Sequence, residues 1–147
     1  MLCEDIYYSA LALLGESMNK SDNADYEERA PYLIAAFCTE VQERDKGWRA
    51  SLKLGDQSTW NPVFISLDES FPLSERFASA AAFYVAAMLV VESDEDLSDK
   101  LYDRFCDAIS TIDSNISIAQ DPDVSDDYND NEESSAYILE SIRNVYF

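Results

Sequence analysis

The residues most able to do chemistry by type and spacing lie late in the chain. In the run Asp121-Pro122-Asp123-Val124-Ser125-Asp126-Asp127-Tyr128-Asn129-Asp130-Asn131-Glu132, oxygen-bearing side chains fall at the first, third, fifth, seventh, ninth and twelfth places of a calcium loop. Such a loop turns sharply on a glycine at its sixth place and carries an aliphatic residue at its eighth. Here those places hold Asp126 and Tyr128, and no helical pattern leads directly into the run. A solvated acidic linker accounts for the same residues, so no metal is assigned. The carboxylate clusters Glu27-Glu28 and Asp94-Glu95-Asp96 could be read as acid and base pairs. They stand at expected helix starts, where acids complement the helix dipole.

The chain has no histidine, which removes the usual general base near neutral pH and the commonest metal ligand. It also lacks a glycine-rich phosphate loop, a Cys-x-x-Cys pair and a Gly-x-Ser-x-Gly elbow, because Gly15, Gly47 and Gly55 are scattered. No catalytic residue, cofactor site or metal site is expected, and the chain reads as a protein that is not an enzyme. Cys3, Cys38 and Cys106 each fall in an apolar helical pattern and read as small buried hydrophobes in a reducing compartment. Thirty acids against ten bases leave a formal charge of -20, a field that repels nucleic acid phosphate. The first residues lack the basic start of a signal peptide, and the longest apolar run, 78–91, is too short for the roughly 20 residues of a membrane span. No membrane partner is expected.

The elements that must position these groups are helices, as three glycines and four prolines are few for a protein of tight turns. Ile6, Ala10, Leu13 and Leu14 mark a first helix over 4–16 that stops near Gly15. A second helix shows an apolar face of Tyr26, Ala30, Leu33, Ile34, Phe37 and Val41. It starts near Tyr26 with Asp25 as a cap, bends at Pro31 and ends around 45–47. Over 48–62 the periodicity vanishes, and the stretches 50–54 and 63–67 alternate enough to allow a small β-hairpin. Pro72 and Ser74 announce a third helix to about Glu92, apolar around nearly its whole circumference, which places it at the centre of a bundle. Leu97, Leu101, Phe105, Ala108 and Ile112 mark a fourth helix to about Asp113, widened by Tyr102, Cys106 and Ile109, with Asp94 or Ser93 as its cap. Arg29 and Arg76 sit near helix starts, against the dipole preference, and call for partner carboxylates within the chain or across a subunit contact.

The expected architecture is therefore mainly α: a four-helix bundle over 1–118, and over 119–147 an acidic linker and an extended apolar C-terminal docking arm. In that arm Ile138, Ile142 and Val145 recur at helical spacing, and Tyr137, Leu139, Tyr146 and Phe147 add apolar surface. An end this apolar either folds back on its own bundle or docks on a neighbour by helix-in-groove or strand addition. Trp48 and Trp60 join the arm residues as candidate partner-binding residues, since they flank the irregular excursion.

The run Tyr26-Glu27-Glu28-Arg29-Ala30-Pro31-Tyr32-Leu33, the segment Phe64-Ile65-Ser66-Leu67-Asp68 leading into Pro72-Leu73 and an alanine-rich helix, and Leu101-Tyr102-Asp103-Arg104-Phe105 resemble the head-tail connector proteins of tailed bacteriophages and related prophages. The likeness spans roughly residues 4–115; the acidic stretch and apolar end have no counterpart in it. The resemblance implies a helical-bundle neck adaptor, a structural virion protein made in the host cytoplasm, in which about a dozen copies close a homo-oligomeric ring between portal and tail. Its partners would be the portal protein and a further neck or tail protein, and DNA would pass without specific binding, since a negative channel wall keeps the duplex from adsorbing. The alternative is an acidic DNA mimic or regulatory protein that blocks a nucleic-acid-binding partner.

Overall fold

The computed structural model describes residues 1–19, 21–55 and 58–120. Among them are four α-helices: α1 (Cys3–Leu14), α2 (Ala24–Ser51), α3 (Ala78–Leu89) and α4 (Glu95–Gln120), with a 3-10 turn at Glu75–Phe77 leading into α3. The protein is mainly helical, as its sequence pattern requires, and α3 packs against α1, α2 and α4 in turn. Its residues Ala80, Ala81, Val85, Ala86 and Ala87 are almost wholly buried. An apolar helix of small side chains lets its neighbours approach closely, so α3 is the centre of the bundle. Around it the aromatic core gathers on Phe37, whose ring centroid lies 5.8 Å from Tyr84, 6.0 Å from Phe105 and 6.4 Å from Phe71. Offset and edge-on pairs of this kind add to the burial of apolar area.

Several helix ends have an identifiable solution for their unpaired backbone groups. At the start of α1 the Cys3 and Glu4 N–H groups donate to the carbonyls of Glu69 and Leu67, at 2.9 and 2.8 Å. The Leu2 N–H is taken by the Asp5 carboxylate at 2.8 Å. An isolated antiparallel bridge between Leu2 and Ser70 completes this seam. The end of α1 is a Schellman closure: Gly15 adopts the left-handed region, its N–H donates to Ala12 and the Glu16 N–H to Leu11. Asp94 caps α4 by accepting from the Leu97 N–H at 3.1 Å, as its position before the apolar pattern suggests.

The second helix departs from expectation at both ends. It starts at Ala24 rather than near Tyr26, the cap position belongs to Asn23, and Pro31 is carried within it. The Asn23 amide reaches back to the Ser17 carbonyl at 2.6 Å, which ties the preceding loop to the helix start. At its far end α2 runs through Gly47 to Ser51. A glycine inside a helix costs about 1 kcal/mol against alanine, and tertiary packing outweighs that: Trp48 packs on the core and Gly47 lies against Ile116 of α4. Residues 50–54 therefore finish the helix instead of forming a strand. Lys53 takes the left-handed closing position with φ 58°, and the Lys53 and Leu54 N–H groups donate to Ala50 and Arg49.

The hairpin allowed over 50–67 is thus corrected, since no strand occurs among the described residues. The segment after Ser58 lies along α2 in extended form, where the Trp60 N–H donates to the Gln42 side chain at 3.2 Å and the Ile65 N–H to the Pro31 carbonyl at 3.3 Å. Two other helices differ in extent. The regular part of α3 is confined to Ala78–Leu89, and α4 continues past Asp113 to Gln120, with Ile112, Asn115 and Ile116 still facing the bundle.

Candidate interaction surfaces

Several side chains singled out by sequence turn out to be structural. Arg29, against the dipole of its own helix, serves the end of another. Its guanidinium donates to the Leu89 and Met88 carbonyls at 3.3 and 3.1 Å, while Asp25 stands 3.6 Å away. The Ser98 hydroxyl donates to the Ala87 carbonyl at 2.9 Å. The last carbonyls of α3 are thereby satisfied, with a cation where the dipole favours one. Asp45, fully buried near the end of α2, accepts the Ser74 N–H at 3.0 Å and so orients the entry to the 3-10 turn. The signal was present in the spacing: Asp45 falls four places after Val41, on the apolar stripe of α2.

The cysteines divide. Cys3 and Cys38 are buried, and burial pushes their thiols up to about 11 and about 12, with Glu69 and the Cys3 and Asp45 charges adding to the effect. Cys106 is exposed, a correction to its reading as a buried hydrophobe. Leu101, Phe105, Ile109 and Ile112 turn inward on α4, and a residue one place after Phe105 points about 100° away from that stripe. Tyr102 is half-exposed for a similar reason, although its ring still lies 5.4 Å from that of Phe105.

Of the candidate partner-binding residues, Trp48 is half-buried and packs on the core, whereas Trp60 is part of the exposed segment along α2. Tyr137, Ile138, Leu139, Ile142, Val145, Tyr146 and Phe147 lie outside the described residues, as does the calcium-like run 121–132. The structure assembles a surface that sequence reading missed. Tyr32, Val63 and Phe64 are 53%, 78% and 51% exposed, and the rings of Tyr32 and Phe64 meet edge-on with centroids 5.1 Å apart. Buried Ile65 beneath and its bond to Pro31 hold this apolar ridge on the outer side of α2. The signal was present: Tyr32 is off the apolar stripe of α2, and Phe64 and Ile65 cannot both face inward from an extended segment.

A second apolar feature is a groove of about 440 Å³ between α1 and α3, with Ile6, Leu13, Ala82 and Phe83 in its walls. A third surface is polar. Asp96, Asp99, Asp103 and Asp107 are exposed along α4, and none of the ion pairs among the described residues reaches them. Among the described residues, no cluster of His, Cys, Asp and Glu could hold a metal ion, and no helix is long and apolar enough to cross a membrane. No protein-family profile, curated protein or solved structure matches the chain.

Proposed function

We propose that the protein is a structural subunit that works by assembly, a head-tail connector (adaptor) forming a ring of about a dozen copies between portal and tail. The observation that carries the assembly reading is the apolar ridge of Tyr32, Val63 and Phe64, held outward on a strongly acidic bundle. Contiguous exposed apolar groups rimmed by charge mark protein contacts. The connector assignment adds to this the resemblance of the helical segments over 4–115. In this reading the acidic outer face of α4 lines the DNA channel, where like charge keeps the duplex moving. The arm 136–147, with Tyr137, Ile138, Leu139, Ile142, Val145, Tyr146 and Phe147, reaches to a neighbour or the portal, and Trp60 borders a further subunit contact.

The test is assembly. Mixed with the portal of its own phage, the full chain gives rings in negative-stain images, and a chain cut after Asp130 keeps its helical circular dichroism but does not join the ring. Normal assembly of the truncated chain would sink the arm's role, and failure of the full chain to bind the portal would sink the connector reading.

The outward carboxylates of α4 favour one second reading, a DNA mimic. On that reading the isolated monomer binds a basic nucleic-acid-binding protein tightly at low salt, with affinity falling steeply as salt rises. Binding that is insensitive to salt would exclude it.

A further inference from the structure

The buried polar residues among those described are Asn23, Gln42, Asp45, Ser98 and Asn115. The side chains of Asn23, Gln42 and Ser98 donate to backbone carbonyls or to a neighbouring side chain. Asp45 and Asn115 differ. Asp45 uses Oδ1 to accept the Ser74 N–H, while its Oδ2, the Asn115 Nδ2 and the Ser74 Oγ are shut off from solvent with no hydrogen-bond partner among the described residues. A buried donor or acceptor left unpaired costs its full desolvation, and such atoms in native proteins are nearly always paired with protein or with ordered water.

These atoms belong to one level of the fold. The 3.0 Å bond from the Ser74 N–H to Asp45 Oδ1 sets the Ser74 hydroxyl beside the carboxylate, since Oγ is only three covalent bonds from that nitrogen. Across the seam, the turn of α2 that carries Asp45 faces the turn of α4 that carries Asn115. Arg44 pairs with Asp113 at 3.1 Å, and a Cβ on Gly47 would stand 3.8 Å from the Ile116 side chain, so contacts between the two helices bracket Asp45 on one and Asn115 on the other. No two of the three atoms bond each other, which leaves a gap wider than one hydrogen bond between them. Ser74 leads into the 3-10 turn before α3, so α2, α4 and the approach to α3 meet here.

We propose that this site binds one ordered water, which donates to Asp45 Oδ2 and to Ser74 Oγ and accepts from the Asn115 Nδ2–H. Three hydrogen bonds are usual for a buried water, and one water joins groups up to about 5–6 Å apart, twice the length of a hydrogen bond. The donor set decides against a metal cation, because the amide hydrogens of Asn115 would point at it. An apolar occupant would leave the carboxylate oxygen unpaired. The water acts as a clasp that ties α2, the approach to α3 and the last turns of α4 together, at the end of α3 opposite the one that Arg29 closes. The site is interior to one chain and does not depend on the connector reading.

The test is a crystal structure of the full chain at a resolution that shows ordered waters, joined to a double-mutant cycle in solution. The expected crystallographic result is a solvent peak about 2.7–3.2 Å from both Asp45 Oδ2 and Asn115 Nδ2. A direct bond between Asp45 and Asn115, the Arg76 guanidinium in that place, or a metal ion there would overturn the water. In the cycle, Asp45→Ala and Asn115→Ala are made singly and together and read by denaturant unfolding. The double variant should lose less than the product of the two single losses, by at least about threefold in the unfolding equilibrium, because either change alone already breaks the bridge. If Asp45→Ala does not fold, Ser74→Ala takes its place, since that hydroxyl is another partner of the same water. Additive effects would overturn the clasp, and coupling without the solvent peak would overturn the water as its cause.

Discussion

Helix α3 and the segment that precedes it, residues 58–74, are neighbours in the chain and share one core, but they differ in how their backbones are held. The helix is fixed by burial: from Ala80 to Ala82 and from Tyr84 to Ala87 every residue is buried, and no single hydrogen bond decides where it lies. The segment 58–74 has no regular structure of its own: it sends Ile65, Phe71 and Leu73 into the core and is otherwise fixed by separate polar contacts. Gln42 holds Trp60 and Asn61, the Pro31 carbonyl holds Ile65, α1 takes two of its carbonyls, and Asp45 holds Ser74. Removing any one polar contact from the segment should loosen it locally, whereas a hole in the shared core beside α3 should weaken the whole bundle. Apolar burial is collective and non-directional, and a hydrogen bond is local and replaceable by water.

This contrast can be broken by experiment. Phe37→Ala empties the aromatic centre that α2 presents to α3 and α4, and should destabilise the protein by roughly 3–5 kcal/mol in denaturant unfolding. A loss below about 1 kcal/mol would mean that the core does not converge there.

The buried thiols give the next effect. Cys3 and Cys38 have folded-state pKa values raised to about 11 and about 12 from the ordinary 9.0, so their contribution is complete below pH 9 and is lost as pH rises through those values. Burial also raises Tyr7 and Tyr84, which act in the same direction above pH 10. Stability should therefore decline in the alkaline range above pH 9, while Cys106 alone reacts promptly with a thiol reagent in the native protein. Equal labelling of all three cysteines would contradict the packing of α1 on α2.

Within the segment, Asp45→Ala leaves the Ser74 N–H without its acceptor and should cost about 1–3 kcal/mol. Asp45→Asn, which keeps an acceptor, should recover most of that. Gln42→Ala should cost about 1 kcal/mol, and amide exchange should quicken at Trp60 while the interior of α3 stays protected. If α3 exchanged equally fast, segment and core would be one cooperative unit.

The smallest effect has the opposite sign. Lys53 occupies a left-handed closing position that glycine adopts without penalty, so Lys53→Gly should stabilise α2 by up to about 1 kcal/mol, read as a raised unfolding midpoint.

The helices were legible because their apolar residues repeat every three or four positions, and the all-round apolarity of residues 78–89 sufficed to place that helix at the centre. The cap at Asp94 and the stop at Gly15 were legible for an equally local reason, since each acts on backbone within a few residues. Local signals misled where distant packing overrode them. Gly47 looked like an end until Ile116, far along the chain, proved to lie against it, and the alternation in 63–67 suggested a strand whose partner residues complete a helix.

By itself, then, the sequence determined a mainly helical, strongly acidic protein and the identity of its central helix, because periodicity and composition act along the chain. Only the tertiary structure decided that Arg29 closes α3, that Asp45 receives the Ser74 N–H, that Cys106 faces outward, and that Tyr32 and Phe64 meet in one ridge. The roles of Arg29 and Asp45 and the meeting of Tyr32 with Phe64 depend on residues far apart in sequence becoming neighbours, which no spacing along a single chain encodes, whereas Cys106 faces outward by the turn of its own helix once the inward stripe is known.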